Sequence, residues 1–459
     1  MSDLPAEIFK AYDIRGVVGK NLTPEIVERI GQAIGSEACG HGPAEVVVGR
    51  DGRLTGPELA ESLFAGLRAS GANVIDIGQV TTPMAYFAAH HLQTGNAVMV
   101  TGSHNPPEYN GLKVVLAGEA LHGDGIQALR RRIESGRLEQ GCGMYRRHDV
   151  AQEYFARIVG DIQLHRPMKI LIDAGNGVAG AYAPDLFRAL GCEVETLFCE
   201  VDGRFPNHHP DPSVPENLAQ MIERLGSGDA EIGLAFDGDG DRLGVVAKHG
   251  RIIYPDRLLM LYADDVLARN PGAQVIFDVK SSRNLYKWIA DRGGRPMLWK
   301  TGHSVIKAKM KETGALLAGE MSGHIFIKER WFGFDDGLYA GARLLEYLSR
   351  QPDLAATWAA LPDPACTPEL HISFREGEVH QLMSKLLDSA RFEGASKVIT
   401  LDGLRVEYED GFGLVRASNT TPTLVLRFEA ETQSALTRIQ NEIGIEIQRI
   451  APAVKLPWC

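Results

Sequence analysis

Short apolar runs alternate with amphipathic stretches along most of this chain, and this alternation limits its fold more than any other feature. The runs suit buried β-strands, and the stretches between them have the spacing of surface helices, as in α/β proteins. Three segments look alike, since each is an apolar run leading into a polar or glycine-bearing loop and then a helix: residues 46–52, 170–176 and 275–281. Their separation is that of repeated domains, not of solenoid repeats, although ordinary α/β sequence patterns would also explain so weak a likeness.

The C-terminal part has a different pattern. After the Pro-Asp-Pro segment 362–364 the chain reads as a strand, a helix, two strands near 406–408 and 424–428, and an amphipathic helix over residues 434–450. The length of 459 residues predicts about three domains, but the change of pattern adds a fourth. We expect the domains to span residues 1–148, 149–251, 252–363 and 364–459.

Charge and composition exclude several classes of protein. With 48 Lys and Arg against 59 Asp and Glu, the net charge is −11, which argues against a general nucleic-acid surface but not against a small anionic substrate. No run of about 18 apolar residues is present, so we expect no membrane span, and the N-terminus lacks a signal-peptide core. The six scattered cysteines form no C-x-x-C pair, which argues against a zinc site or a disulfide framework. A soluble cytoplasmic enzyme is the expected class.

A loop of alternating aspartates and glycines is the strongest local signal. Asp237, Asp239 and Asp241 are separated by single glycines, whose backbone freedom lets the carboxylates converge. Converging carboxylates repel one another unless a cation lies between them, and oxygen ligands suit Mg²⁺ or Ca²⁺. An EF-hand is excluded, because Arg242 and Lys248 stand where its glycine and its glutamate are required. We favour a divalent metal site over the alternative, a solvated acidic turn.

A second loop, in the segment 98–107, follows a predicted strand and presents Ser103. It is not a G-x-S-x-G elbow, and the adjacent His104 is awkwardly placed to act as a base for Ser103. A lone loop serine is most often a capping or turn residue. If the aspartate loop lies nearby, however, a metal beside the serine oxygen would stabilise negative charge on that oxygen, as phosphoryl transfer requires.

Two further loops carry groups that suit a phosphosugar. The loop 416–422 combines a guanidinium, hydroxyls, an amide and backbone N–H groups, which predicts an anion site or, alternatively, a polar hairpin turn. In the loop 319–324, Glu320 and Ser322 have the alternating spacing that points both side chains to one side of an extended chain. That pair would suit sugar hydroxyls, and a buried structural glutamate is the alternative.

One motif points to a different function. Residues 175–180 match G-x-G-x-x-G after a strand and before a helix, and Glu195 follows about 20 residues further on, as in dinucleotide-binding proteins. A dinucleotide site would explain none of the other four loops. We therefore interpret these glycines as a tight turn between strand and helix.

Together, the four loops resemble those of the α-D-phosphohexomutase superfamily, and most closely its bacterial phosphomannomutase/phosphoglucomutase group. The resemblance extends from residues 11–16 to the C-terminal helix, and the serine, aspartate, sugar and phosphate loops occur in the family's order. It implies an α/β fold of four domains around a central cleft. Three would be related α/β domains with mixed sheets, and the fourth a C-terminal α+β domain of the TATA-box-binding-protein-like type. Each domain would contribute one loop.

The resemblance also implies roles for residues of the serine and aspartate loops. Ser103 would be the phosphorylated serine. Mg²⁺ would be held by the oxygens of Ser103, Asp237, Asp239 and Asp241. Arg242 would lie near the transferred phosphoryl group. The acid/base or charge-stabilising candidates are His324, Lys113 and, nearby, His104.

The remaining implied residues would bind the substrate. Glu320 and Ser322 would take sugar hydroxyls. The non-reacting phosphate would be held by Arg416, Ser418, Asn419 and Thr420. Further cleft residues would be Tyr12, Arg15, Lys280 and His303.

The implied activity is reversible interconversion of hexose 1-phosphate and hexose 6-phosphate through a phosphoserine enzyme and a 1,6-bisphosphate, with glucose 1,6-bisphosphate as activator. The 3- and 4-hydroxyls nearly exchange places when the bisphosphate reorients. Glucose and mannose share these two hydroxyls and differ at carbon 2, so we expect both sugars as substrates. Rival functions are a phosphoglucosamine mutase, a metal-dependent sugar phosphatase, an NAD-dependent dehydrogenase and a non-catalytic phosphosugar sensor. We expect a monomer whose partners are small phosphosugars, with no nucleic-acid or membrane partner.

Overall fold

The computed structural model describes residues 4–41, 44–375, 377–418 and 421–458. Its strands form four sheets, one in each of four consecutive parts of the chain. We name these parts units 1 to 4, and they comprise residues 4–147, 151–253, 254–364 and 365–458. No described helix is both long and apolar enough to cross a lipid bilayer.

Unit 1 is a mixed sheet between two layers of helices. Its strands are β1 (Ile14–Val17), β2 (Glu45–Arg50), β3 (Asn73–Gln79), β4 (Ala97–Val100), β5 (Tyr109–Leu116), β6 (Glu119–Ala120) and β7 (Tyr145–Arg147). Its helices are α1 (Pro24–Ala38), α2 (Gly56–Ala69), α3 (Thr82–His91) and α4 (Asp124–Glu134). The strand order is β1-β5-β4-β2-β3-β7, with β6 beside β5. The centre of β2 is apolar because both faces of the sheet are covered: Val46 and Val48 pack with α1 and α2, and Val47 packs with α3.

Unit 2 repeats the mixed α/β pattern. In chain order its elements are α5 (Ala151–Val159), β8 (Lys169–Asp173), α6 (Ala183–Ala189), β9 (Glu193–Leu197), α7 (Ala219–Ser227), β10 (Ile232–Phe236), β11 (Leu243–Ala247) and β12 (Arg251–Ile253). The strand order is β12-β11-β10-β8-β9. Strands β8, β9 and β10 run parallel, whereas β11 turns back antiparallel to β10. The connection between β10 and β11 is the predicted aspartate loop.

Unit 3 has the smallest sheet. Its elements are α8 (Pro255–Arg269), β13 (Gln274–Asp278), α9 (Asn284–Asp291), β14 (Arg295–Trp299), α10 (His303–Thr313), β15 (Leu317–Gly319), β16 (Ile325–Ile327), α11 (Gly337–Ser349) and α12 (Leu354–Ala359). The strand order is β14-β13-β15-β16, and only β16 is antiparallel to its neighbour. The turn between β15 and β16 is the predicted sugar loop.

Unit 4 is an antiparallel sheet with two helices. Its elements are β17 (Ala365–Cys366), β18 (Leu370–Ser373), α13 (Glu378–Ser389), β19 (Lys397–Ile399), β20 (Leu404–Tyr408), β21 (Gly411–Ala417), β22 (Thr423–Ala430) and α14 (Gln433–Ile450). The strand order is β17-β22-β21-β20-β19, with β18 also beside β22. Helix α14 begins where the Thr432 hydroxyl accepts the N–H of Ala435 at 3.2 Å. The predicted fold class, three mixed α/β domains and an α+β C-terminal domain, is confirmed.

The cores of the units explain which part of the molecule is able to move. One hydrophobic core runs through units 1 to 3 and includes Phe87, Phe187 and Leu338. Unit 4 has a core of its own and meets unit 3 through a small apolar cluster and through polar contacts. Since an interface with few apolar contacts permits relative motion, unit 4 is the part most free to move against the rest.

Candidate active site

One cleft contains most of the residues that the sequence predicts to be functional. Its cavity of about 780 Å³ is lined by residues of all four units. The predicted residues that line it are Tyr12, Arg15, Ser103, His104, Lys113, Arg242, Lys280, His303, Glu320, Ser322, His324, Arg416 and Ser418. The three aspartates of the loop after β10 are fully buried beneath Ser103 and Lys113. The predicted phosphate-binding residues Asn419 and Thr420 lie outside the described residues.

Ser103 lies in the turn between β4 and β5 and is 2% exposed. Its backbone φ is +49°, in the left-handed region that residues other than glycine seldom adopt. Its N–H donates to Thr101 Oγ1 at 2.7 Å. Backbone strain of this kind persists only where the surrounding structure holds it, and it is common at functional sites.

The buried guanidinium of Arg53 holds this serine loop. It donates to four backbone carbonyl oxygens at 2.5–2.9 Å, those of Ser103, Asn105, Pro106 and Tyr109. Asp51 lies 3.3 Å from its Nε and balances its charge. A Cβ at Gly102 would lie 2.5 Å from the guanidinium carbon, so the close approach requires glycine. Arg53 was not among the residues predicted from the sequence, although the polar segment 49–53 at the end of β2 was an available signal.

His104 is better placed than its position next to the serine suggests. Its Nδ1 lies 3.1 Å from Ser103 Oγ. The left-handed backbone at Ser103 turns the two neighbouring side chains towards each other, so the expected awkward placement is wrong. Burial, reinforced by the charge of Arg242, lowers the pKa of His104 well below its ordinary value.

The aspartate loop touches the serine loop directly. Ser103 Oγ donates to Asp237 Oδ2 at 3.1 Å, and the Thr82 hydroxyl donates to Asp239 Oδ2 at 2.5 Å. A Cβ at Gly238 would lie 2.3 Å from the carbonyl oxygen of Ser103. A glycine between the first two aspartates is therefore required for the two loops to meet, in addition to letting the chain turn.

Lys113 supplies positive charge to the aspartate loop. Its Nζ donates to Asp239 Oδ2 at 2.6 Å and also to Asp241. Burial acts to lower the pKa of Lys113, but the two carboxylates outweigh burial and raise it well above its ordinary value. Burial and the neighbouring carboxylates raise the pKa of Asp237, whereas Lys113 outweighs burial at Asp239 and lowers the pKa there.

The arrangement of the three aspartates fits a divalent cation. Oxygens of Asp237, Asp239 and Asp241 lie within 4.8 Å of one another. Asp239 Oδ1 and Asp241 Oδ1 are buried and accept no hydrogen bond from any described residue. Carboxylate oxygens with free lone pairs beside a serine hydroxyl form the hard donor set that Mg²⁺ prefers. A second group, Asp241 with His324 and Asp335, has the same spacing, but the ammonium of Lys307 already lies against its Asp335.

Arg242 and His324 join the aspartate loop to the sugar loop. Arg242 Nε donates to His324 Nε2 at 3.1 Å, and its Nη1 lies 4.0 Å from Asp211. Burial acts to lower the pKa of Arg242, but the carboxylates around it raise the pKa above its ordinary value. The ring of His303 stacks on that of His324 with centroids 5.6 Å apart. Burial and the charge of Lys307 lower the pKa of His303 well below its ordinary value.

The sugar loop and unit 1 face each other across the cleft. Glu320 Oε1 accepts the N–H of Gly302 at 2.6 Å, and its Oε2 is buried without a hydrogen bond to a described residue. Burial raises the pKa of Glu320. Tyr12 donates to the carbonyl oxygen of Thr301 at 2.7 Å, and a Cβ at Gly302 would lie 2.5 Å from the Tyr12 ring. Glu320 is therefore structural through one oxygen and available to a ligand through the other.

Two cations lie where unit 4 meets unit 3, and each is paired with a carboxylate. Arg416 lies 3.3 Å from Asp402, which also accepts the N–H of Thr301 at 3.0 Å. Lys280 Nζ donates to Glu369 at 2.6 Å. Neither carboxylate was among the residues predicted from the sequence, since neither lies in one of the four loops. At the serine end, Arg15 donates to the Asn105 side chain at 2.5 Å and pairs with Asp13.

The glycine motif at 175–180 is filled by the chain itself. A Cβ at Gly175 would lie 3.0 Å from His208, and one at Gly180 would lie 2.3 Å from the carbonyl oxygen of Cys199. A Cβ at Gly177 would lie 3.0 Å from Gly238 of the aspartate loop. These glycines therefore allow close packing behind the aspartate loop, which agrees with a tight turn and leaves no room there for a pyrophosphate.

Comparison with known proteins identifies the family. Models of the phosphoglucomutase/phosphomannomutase family match in order: alpha/beta/alpha domain I at residues 6–140, domain II at 152–250, domain III at 254–364 and the C-terminal domain at 376–444. A phosphoglucomutase of Neisseria gonorrhoeae is 58% identical over 451 residues, which cover 98% of each chain. A phosphomannomutase/phosphoglucomutase of Pseudomonas aeruginosa is 56% identical over 456 residues, covering 99% of this chain and 98% of the relative.

A solved structure of a phosphoglucomutase/phosphomannomutase family protein from Burkholderia thailandensis has the same overall fold. It superposes with a TM-score of 0.94 at 56% identity and covers 99% of this chain and 100% of the other. The match therefore includes all four units and the cleft between them. The chain belongs to the phosphoglucomutase/phosphomannomutase family of the α-D-phosphohexomutase superfamily.

Proposed function

We propose that the protein is a phosphohexomutase that reversibly interconverts hexose 1-phosphate and hexose 6-phosphate. The observation that carries this proposal is a single cleft with a serine and a carboxylate triad at one end and Arg416 at the other. A phosphatase needs only one phosphate site, whereas a mutase must hold one phosphate while the other is transferred. The family and its relatives, named phosphoglucomutase and phosphomannomutase/phosphoglucomutase, support the same activity.

In this proposal Ser103 carries the phosphoryl group. The phosphoserine O–P bond breaks as a new P–O bond forms to the free hydroxyl of the bound hexose monophosphate, which gives a 1,6-bisphosphate. The bisphosphate then turns over in the cleft and returns its other phosphoryl group to Ser103. In the first transfer a base within hydrogen-bond reach takes the proton of the attacking sugar hydroxyl, and in the second transfer it gives that proton to the sugar oxygen that leaves.

The residues around Ser103 would make its oxygen a good leaving group. We propose that Asp237, Asp239, Asp241 and Ser103 hold Mg²⁺, which when bound stabilises negative charge on the serine and phosphoryl oxygens. Arg242 and Lys113 would add fixed positive charge beside the transferred group. His324, which lies against Arg242, is our candidate for the group that exchanges a proton with the sugar hydroxyl, and His104 would orient the serine oxygen.

The far end of the cleft would hold the phosphate that does not react. We assign this role to Arg416 and Ser418, with Lys280 beside them, and, from the sequence alone, to Asn419 and Thr420. Glu320 and Ser322 would accept sugar hydroxyls in both orientations of the intermediate. Tyr12 and His303 would complete the walls of the cleft, and Arg15 would act near the serine end.

Because the 3- and 4-hydroxyls nearly exchange places in the two orientations, Glu320 and Ser322 would contact these two hydroxyls in either one. Glucose and mannose share both hydroxyls and differ at carbon 2. We therefore propose glucose and mannose phosphates as substrates and glucose 1,6-bisphosphate as activator. We also propose that the protein is a cytoplasmic monomer without a nucleic-acid or membrane partner. Its functional domains would span residues 1–148, 149–251, 252–363 and 364–459.

A coupled assay tests this function. Glucose 1-phosphate and mannose 1-phosphate are supplied with and without glucose 1,6-bisphosphate and Mg²⁺, and free phosphate is measured in parallel. We expect both sugars to be isomerised with kcat/KM values that differ by less than ~1000-fold, since selection at one hydroxyl seldom exceeds that without a dedicated polar contact. Release of phosphate without isomerisation would identify a phosphatase instead, and turnover of glucosamine phosphates alone would identify a phosphoglucosamine mutase.

The carrier role of Ser103 has its own test. Intact mass of the purified protein should show one phosphoryl group, which is absent from Ser103→Ala. That variant should lose activity by ~1000-fold or more while its fold is retained, because removal of a covalent carrier is among the largest single losses in enzymes. Undiminished turnover by Ser103→Ala would refute the assignment.

A further inference from the structure

A buried carboxylate that none of the proposed steps uses lies behind His324. Asp335 precedes α11 and is 0% exposed. One of its oxygens, Oδ1, accepts a hydrogen bond from Lys307 Nζ at 2.7 Å. The other, Oδ2, lies 3.0 Å from Nδ1 of His324 and 3.7 Å from Nδ1 of His303. The carboxylate therefore faces one ammonium and the two histidines of the cleft wall.

Lys307 fixes both the charge and the orientation of this carboxylate. It projects from α10, and its Nζ lies 4.3 Å from the centre of the Tyr86 ring of unit 1. Burial acts to raise the pKa of Asp335, but Lys307 outweighs burial and lowers it well below its ordinary value. Because Oδ1 is bound to Lys307, Oδ2 is held towards His324 and His303.

The opposite edge of the His324 ring gives an independent indication of its proton. Arg242 Nε–H donates to Nε2 at 3.1 Å. A guanidinium has donors only, so Nε2 must offer a lone pair, and the ring proton must be on Nδ1. The Asp335 carboxylate, 3.0 Å from Nδ1 but off the ideal hydrogen-bonding direction, favours a proton on that same atom, and so does Asp241 Oδ1 at 3.6 Å. The groups at both edges of the ring therefore select one tautomer.

We infer that Asp335 is a positioning residue that holds His324 as the Nδ1–H tautomer, so that Nε2 can accept the proton of the sugar hydroxyl. This inference rests on the proposed mutase function and on the proposed role of His324. The arriving hydroxyl takes the place of the Arg242 N–H at Nε2, and its proton moves to Nε2. The resulting imidazolium keeps its Nδ1–H against Asp335. When the bisphosphate gives its other phosphoryl group to Ser103, the proton on Nε2 passes to the sugar oxygen that leaves.

Asp335→Asn should reverse the tautomer. Lys307 requires an acceptor, so the amide oxygen of the new side chain should turn towards it and the amide NH₂ towards Nδ1 of His324. The ring proton would then have to lie on Nε2. We expect kcat to fall by ~100-fold, in the range that acid–base groups contribute, with KM changed by less than ~3-fold.

The matched control is the neighbouring Asp336→Asn. Asp336 is also buried, but it accepts hydrogen bonds from Tyr154 and from the N–H of Tyr339 instead of facing the cleft. We expect its kcat to stay within ~3-fold of wild type. Equal losses of kcat in the two variants would mean that Asp335 has only a structural role.

A double-variant comparison separates positioning from an independent contribution. If Asp335 acts through His324, adding Asp335→Asn to His324→Gln should not reduce kcat further. Losses that multiply would overturn the inference. Wild-type mutase activity serves as the reference. A wild type without mutase activity would contradict the proposed function, whereas an active wild type whose variants show multiplying losses would contradict only the role of Asp335.

Nitrogen NMR of the histidine rings decides the point without turnover and without relying on the fold of Asp335→Asn. With the His324 signals assigned by their absence in His324→Gln, we expect the resting wild-type ring to carry hydrogen on Nδ1 and a lone pair on Nε2. A wild-type ring with hydrogen on Nε2 would overturn the inference whatever the kinetics. Where Asp335→Asn is folded, its spectrum should show the opposite tautomer.

Discussion

Ser103 Oγ donates to Asp237 Oδ2 at 3.1 Å, although 134 residues separate them in the chain. The contact joins unit 1 to unit 2, and it depends on Gly238, where a Cβ would lie 2.3 Å from the carbonyl oxygen of Ser103. The proposed phosphoryl carrier and the proposed metal-binding triad, from different parts of the chain, thus lie in one site. A cation bound to the triad would lie beside the oxygen of Ser103.

Removal of metal should stop catalysis reversibly. The carboxylate oxygens Asp239 Oδ1 and Asp241 Oδ1 accept no hydrogen bond from described residues, so a chelator should leave them without a partner. We expect activity to disappear with EDTA and to return with Mg²⁺, and Asp239→Asn to lose at least ~100-fold in kcat, since a metal ligand is removed. The control is Asp229→Asn, which changes an exposed aspartate of the same unit and should leave kcat at the wild-type value. Full activity in protein shown by elemental analysis to be metal-free would contradict the metal site.

Arg53 should contribute to both stability and turnover. Arg53→Lys keeps the charge, but an ammonium has neither the planar shape nor enough donors for the four carbonyl oxygens that Arg53 now serves. We expect a loss of about 2 kcal/mol in the free energy of unfolding, from carbonyls left unpaired. The kcat should also fall, because the left-handed backbone of Ser103 is less well held.

The matched control for this prediction is Arg204→Lys. Arg204 pairs with Asp202 on the surface, where the arginine side chain is 73% exposed. Such an exposed ion pair contributes little to stability. We therefore expect Arg204→Lys to change the free energy of unfolding, measured in urea, by less than about 0.5 kcal/mol. If the two lysine variants were equally stable, Arg53 would not be the residue that holds the serine loop.

Arg416→Ala should weaken the hold on the substrate and on the intermediate. The guanidinium is buried at the junction of units 3 and 4, where Asp402 pairs with it and also accepts the Thr301 N–H. We expect KM to rise ~10-fold or more, since a charge-assisted phosphate contact is lost. We also expect free glucose 1,6-bisphosphate to accumulate during turnover. Arg375 is exposed in the same unit, and Arg375→Ala should behave as wild type. An Arg416→Ala variant that retains the bisphosphate would contradict the proposed role of Arg416 in holding the intermediate.

The sequence predicted the site best where the chemistry is local. The aspartate triad and Glu320 with Ser322 are short patterns whose spacing already brings the groups together. Arg53 was missed because the carbonyls that it serves lie about 50 residues further along the chain, a relation that no local pattern records. Asp402 was missed because it lies outside the four loops, and one of its two partners, Thr301, is 101 residues away.

The fold was predicted for a related reason. Buried strands such as β2 have apolar centres, and the different order of elements after residues 362–364 marks the start of unit 4. The placement of His104 was wrong because periodicity does not report a positive φ at a serine. The net charge of −11 likewise argued against a general nucleic-acid surface but gave no information on Lys113, Arg242 and Arg416, which place positive charge locally in the cleft.

Asp336 should make stability depend on pH. It caps α11 by accepting the N–H of Tyr339 at 2.9 Å, and the Tyr154 hydroxyl of unit 2 donates to it at 2.8 Å. Burial raises its pKa to about 7, from an ordinary value of 3.8. The folded protein therefore binds a proton there that the unfolded chain has already released. Between about pH 4 and pH 7 the free energy of unfolding should fall as pH rises, by at most about 1.4 kcal/mol per pH unit from this group.

Asp336→Asn isolates this effect, because the amide keeps the shape of the neutral acid and cannot ionise. Urea unfolding of the variant and of the wild type should give similar free energies near pH 4, and the variant should become progressively more stable than the wild type up to about pH 7, with no further gain above it. The exposed cap Asp353, which accepts the N–H of Ala356 at 3.2 Å at the start of α12, provides the matched control. Because Asp353 is exposed to solvent, we expect Asp353→Asn to show no such gain between pH 5 and 8. A difference between wild type and Asp336→Asn that stays constant with pH would mean that the buried carboxyl is ionised in the folded protein throughout.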